Sequence, residues 1–256
     1  MAEKIRLGGM ALENGVLVHG PTAWACAVRT ADGSVKIAAQ RKRVSGHRIK
    51  TPFLRGPARL TDAFTVLVGV KRALPEAKLP FENTTVLASM AGTALLVTGV
   101  RHSKLRDSAK ELVASLLSVA PALLTVRGGS LAAYHGAEHI AIGSYEQDAP
   151  HAKEHERCGS HLVGPLAITG TVANVLATRA PERFRPIAGL AGTIGGLGAT
   201  MELFGWMQRH PERRLSRALA WPGHELQHRL STAEPSREQL EVAEAALAAC
   251  LELEDA

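Results

Sequence analysis

The chain has 256 residues, 46% apolar but only 4% aromatic, with a formal net charge of +6. This is enough for one large domain or two small ones, and the Ala, Leu and Gly content favours closely packed helices. Three widely spaced cysteines, Cys26, Cys158 and Cys250, exclude a disulfide framework and suit a reducing compartment, and the opening residues lack the apolar run of a secretory signal.

Residues 8–40 read as short strands. The β-favouring runs 23–29 and 35–39 flank "ADGS", and Asp-Gly between two such runs predicts a hairpin in a small antiparallel unit. A basic stretch, 41–59, follows; fourteen of the thirty Lys/Arg precede residue 83. Its charge suits anionic lipid or RNA, but no aromatic residues interleave it as stacking on single strands needs, so nucleic acid is disfavoured. Over 59–74, Leu60, Phe64, Leu67, Val68 and Leu74 recur at helical spacing, and Pro75 and Pro80 end the pattern.

Four stretches then carry few or no charges: 83–100, 112–126, 158–178 and 187–208. Some reach the length of about 20 apolar residues that spans a bilayer, and others fall short. Gly, Thr and Ser dilute them all. Membrane hairpins and the buried helices of a soluble bundle both satisfy this pattern. If all four cross, residues 1–82, 127–157 and 209–256 share one side with 23 of the 30 Lys/Arg, as a cytoplasmic side should. The basic loop 101–111 opposes that topology, and re-entrant hairpins would remove the conflict. The tail, 231–254, reads as a helix capped by Ser231 or Ser236, with Leu240, Val242, Ala243, Ala246, Leu247 and Leu251 as its packing stripe.

The chemistry-bearing constellation lies between these segments. In "YHGAEHI" (134–140), a helix would set His135 and His139 one turn apart on one face, able to share one cation, with Glu138 beside them as ligand or base. His-x-x-Glu-His is also the inverted form of a zinc-protease signature. Alone, the pattern is weak, and a satisfied polar helix face reads ahead of a metal site. Within thirty residues, however, lie Glu146, His151, Glu154, His155, Cys158 and His161, donors of the kind borderline divalent metals take. Arg157 beside Cys158 would favour the thiolate. Glu202 interrupts an apolar segment, where a carboxylate is expensive unless paired or bound to a cation.

These blocks resemble the YqhQ-like bacterial family, a domain of unknown function regarded as metal-dependent and usually membrane-embedded. The resemblance rests on "YHGAEH", the Tyr145-Glu146 pair and "HERCG" (155–159), with "LGGMALENGVLVHGP" near the start and "WPGHELQHRLSTAEPSREQLEVAEAAL" near the end. It carries the family's motif positions onto His135, Glu138, His139, Glu146, His155, Arg157 and Cys158, and supports Glu202. Residues 159–162 and Ile140 depart from the family pattern.

The expected fold is α+β: a β-rich region (1–58), a helical, membrane-embedded core (59–208) holding the motif loop 134–161, and a polar region ending in a helix (209–256). The expected centre is a divalent metal, zinc first among them, held by His135, His139, Glu138, Cys158, His155, Glu202 and Glu146. Glu138 is the catalytic base of a metal-dependent hydrolase at the cytoplasmic membrane, its motif facing the cytosol. The alternatives are a non-catalytic membrane assembly or scaffold factor with a structural zinc site, and a cytoplasmic location. Anionic lipid and membrane proteins are the expected partners; metal, substrate and oligomeric state are not legible.

Overall fold

Short alternating apolar runs broken by tight turns make residues 8–41 an antiparallel meander. The computed structural model describes residues 4–42, 48–121 and 129–256. Strands β1 (Gly8–Leu12), β2 (Gly15–His19), β3 (Ala23–Arg29) and β4 (Val35–Arg41) pair in chain order. The expected hairpin is the β3–β4 connection. Gly33 there adopts φ of 84°, a left-handed conformation glycine enters without a Cβ clash.

Successive strand residues point to opposite faces, and both faces of this sheet are apolar. Val16, Val18, Ala25 and Ala27 pack against Tyr134, Ala137, Val242 and Ala246. Leu17, Trp24, Cys26 and Val28 pack against Val66, Leu67 and Val70. The sheet is therefore the middle of three layers. Helix α1 (Arg55–Ala73) lies on one side, and α4 (Gly129–Gln147) with α8 (Arg237–Asp255) lies on the other. Between them in sequence run α2 (Thr84–Arg101), α3 (Asp107–Leu117), α5 (Val163–Thr178), α6 (Arg185–Arg209) and α7 (Arg214–Leu226).

Helix α1 forms where the spacing predicts, but its inward face differs. Val66 and Val70 are buried with Leu67 and Leu74, while Phe64 and Val68 are exposed. The face under Trp24 selects side chains at 66, 67 and 70, a choice the helical period alone leaves open. The tail helix starts at Ser236, whose hydroxyl accepts from the Gln239 N–H in a reciprocal capping box. Its far end is fastened by Glu254, which accepts from the N–H of Thr22 at 2.7 Å, the N–H of Ala23 at 2.6 Å and the Thr22 hydroxyl at 2.8 Å. The sequence reads this region as polar; its inner stripe completes the core of the N-terminal sheet.

Among the described residues, three stretches are long and apolar enough to cross a membrane: Thr84–Arg101, Gly159–Thr178 and Glu182–Arg209. The rest of the protein covers only 6%, 17% and 17% of them. A soluble bundle would bury such faces; here Leu95 and Leu96 of α2, Val172 and Leu176 of α5, and Ile187 and Leu190 of α6 stand exposed. Apolar surface on this scale points to membrane association. The fourth apolar stretch, 112–126, lies partly outside the described residues. Its described helix, α3, has 11 residues and is too short to span alone.

Candidate metal centre

Helix α4 enters the core between sheet and tail with small residues on its packing face, so Glu138 and His139 are buried and His135 is half-buried. His135 and His139 lie one turn apart, as expected, with ring centroids 4.3 Å apart. Each ring is fixed through Nδ1. That of His135 donates to the Ser231 carbonyl at 2.7 Å, and that of His139 to the Lys153 carbonyl at 2.6 Å. A carbonyl only accepts, so in each neutral ring Nδ1 carries the hydrogen and Nε2 keeps its lone pair. Metal-binding histidines are commonly oriented in this way. Cys158 Sγ lies 3.5 Å from His135 Nε2. His135, His139 and Cys158 form a group whose donor atoms all fall within 4.8 Å of one another, a group that could hold a metal ion.

Glu138 projects to the same place. One carboxylate oxygen is 3.9 Å from His135 Nε2 and 3.7 Å from His139 Nε2. Strand β1 closes over it: a Cβ on Gly9 would come within 2.3 Å of Oε1, so only glycine leaves room for this carboxylate. Burial pushes the Glu138 carboxyl up to about 7, with neighbouring His135 acting in the opposite direction. Burial, reinforced by His135, pushes His139 down to about 2 and keeps it neutral. Burial also lowers His155 and raises the Cys158 thiol. Arg157 does not relieve the thiol as its adjacency in sequence suggested, because its guanidinium is paired with Glu146. Glu146 also sits 3.3 Å from His155 Nε2, and the His155 ring lies 5.5 Å from that of His139. His155 and Glu146 thus stand behind the central group.

Glu202 stands elsewhere. Its carboxylate is gripped by the guanidinium of Arg55 and accepts from the Phe53 N–H. An ion pair with a guanidinium, which needs no metal ion, thus explains its place in an apolar helix. Glu154 is taken up by Lys153 and His228.

Sequence reasoning missed the frame around the centre. After α7 the chain widens into a π turn, Gln227–Ser231, in which the Thr232 N–H reaches back to the Gln227 carbonyl at 3.2 Å. This turn presents the Ser231 carbonyl to His135. Buried Gln227 accepts from the His155 N–H at 2.8 Å and donates to the Ser160 hydroxyl at 2.8 Å, holding both sides of the Cys158 loop. The available signal was a buried-type polar residue after Pro222, which by itself names no partner. The donors face a cavity of about 730 Å³ that also reaches Phe81, Val86 and Met90.

The protein thus sets a His/Cys/Glu centre in a three-layer α+β scaffold beside membrane-length helices. Residues 130–253, just under half of the chain, match the family described as "Protein of unknown function (DUF1385)", and this segment is similar to that family. A similar protein is "Uncharacterized protein YqhQ" of Bacillus subtilis (strain 168), 35% identical over 118 residues, which cover 43% of this chain and 37% of the relative. The match thus spans well under two thirds of that relative's length. No solved structure matches.

Proposed function

We propose that the chain is a metal-dependent hydrolase of the cytoplasmic membrane, with zinc as its metal and the centre facing the cytosol. One observation carries the proposal: both imidazoles turn lone pairs toward Cys158 because their Nδ1 hydrogens are committed to backbone carbonyls. Two nitrogens and a thiolate sulfur suit zinc, and three protein donors leave a position for a reactant. A divalent ion held there would polarise a carbonyl and make a water more acidic. His135, His139 and Cys158 would hold it; His155 and Glu146 support the group from behind. Glu138 is the base. It accepts a proton as the water oxygen bonds to the carbonyl carbon, then delivers that proton to the leaving oxygen or nitrogen as its bond to carbon breaks. Glu202 has no part in this.

A closed structural zinc site in a membrane assembly factor is the alternative, favoured by the cysteine among the donors. The cavity beside the donors favours catalysis. The cytosolic orientation is supported by the 23 Lys/Arg in residues 1–82, 127–157 and 209–256.

Elemental analysis of protein purified without chelators, beside a His135→Ala, His139→Ala double variant, tests the centre. The expected result is about one zinc per chain in the wild type and none in the variant; equal content in both removes the proposal. Glu138→Gln then separates the two roles: retained metal with lost hydrolysis supports the enzyme, and retained metal with unchanged phenotype supports the scaffold.

A further inference from the structure

The cavity beside the donors is lined by two unlike groups: the polar His135, Glu138 and Cys158, and the apolar Phe81, Val86 and Met90. Val86 and Met90 are one turn apart on α2, a helix long and apolar enough to cross a membrane. Val86 is buried against the protein, whereas Met90 is 52% exposed on the outer surface that continues to Leu95 at 75%. Met90 thus belongs both to the apolar lining of the cavity and to outer surface suited to acyl chains. Its volume lies within the range of about 300–1,000 Å³ typical of small-molecule sites. A wholly water-soluble substrate would leave the apolar lining unmet. A single-chain lipid suits both groups, because its polar carbonyl group matches the donors and its tail matches the apolar lining.

Resting on the hydrolase proposed above, we infer that the substrate is a long-chain acyl compound, an ester or amide, that enters from the bilayer beside Met90 and places its carbonyl at His135, Glu138 and Cys158. The tail stays along Phe81, Val86 and Met90. The exposed sulfur-bearing side chain of Met90 is unbranched and adaptable, as a gate for flexible chains requires.

The test uses the full chain in phospholipid vesicles with two photoreactive palmitic acids, one with a diazirine near the carboxyl and one near the chain end, and adducts located by mass spectrometry. The expected result is labelling of the 131–142 segment by the first probe and of 81–90 by the second. Met90→Trp fills the proposed entry with an apolar side chain suited to the membrane. It should cut the 131–142 adducts about tenfold, the effect of losing roughly two methylenes' worth of burial. Adducts on the outward Ile187 and Leu190 should stay unchanged and report intact insertion. Absence of 131–142 adducts, or equal labelling there in wild type and Met90→Trp, overturns the inference even if zinc is bound. Labelling in the expected order on protein that binds no metal keeps the acyl site and removes the hydrolase instead.

Discussion

Two histidines become donors here because each has a backbone carbonyl to occupy its other nitrogen. Cys158 completes the group while burial holds its thiol up. A divalent ion must therefore displace a proton on binding, and affinity should rise with pH. Cys158→Ser should weaken zinc by at least about tenfold, read by chelator competition; unchanged affinity would remove the thiol from the centre. Gly9 makes a separate prediction. Gly9→Ala forces the Glu138 carboxylate aside, so the variant should lose about 1–3 kcal/mol of stability while still binding metal through His135 and His139. Thermal unfolding and metal content, measured on one preparation, check both halves.

At the scale of elements, the centre depends on segments distant in sequence. The π turn after α7 supplies the carbonyl for His135, and Gln227 ties the loops on either side of Cys158. Gln227→Ala leaves the His155 N–H and Ser160 without these partners in a buried place. It should cost about 1–3 kcal/mol and loosen metal binding, whereas an ordinary surface substitution would leave metal affinity alone. The tail helix works at a distance from the centre. Ser236→Ala removes its cap and should lower stability by about 1 kcal/mol without touching metal content. A metal loss in that variant would mean that α8 shapes the site directly.

For the whole molecule, acid is the revealing variable. His19 lies on the α1 side of the sheet, where Lys42 Nζ approaches its Nδ1 at 3.2 Å and also pairs with Asp62 at 3.1 Å. Burial first, and Lys42 second, push His19 from 6.5 down to about 4, with Asp62 and Glu254 opposing. Between these values the unfolded chain binds more protons than the folded one. The contribution is full above pH 6.5 and is lost as pH falls to about 4, on the order of 3 kcal/mol. The lowered His139 and His155 act with the same sign, and the raised Glu138 carboxyl acts against these three between about pH 7 and 4.5. Melting temperature in detergent should fall between about pH 7 and pH 4.5, and His19→Gln should reduce that fall in part. An identical fall in the variant would show that His19 titrates normally. The apolar faces of α2, α5 and α6 make a companion expectation: the chain should partition with membranes and need detergent for extraction.

The sequence by itself determined the elements that repeat locally. Alternation and an Asp-Gly turn gave the hairpin, the 3.6 period gave α1, and the i, i+4 spacing put His135 and His139 on one face of any helix formed there, although that region was otherwise read as a motif loop. The apolar runs gave α2, α5 and α6. Only tertiary structure decided the rest, because a periodic pattern says which residues share a face and not what that face meets. Phe64 and Val68 therefore turned outward while Val66 and Val70 turned in. Arg157 went to Glu146, and Glu202 to Arg55, since charges choose partners across space. The carbonyls of Ser231 and Lys153 that aim the two imidazoles belong to the backbone, which every residue carries alike and no residue name advertises.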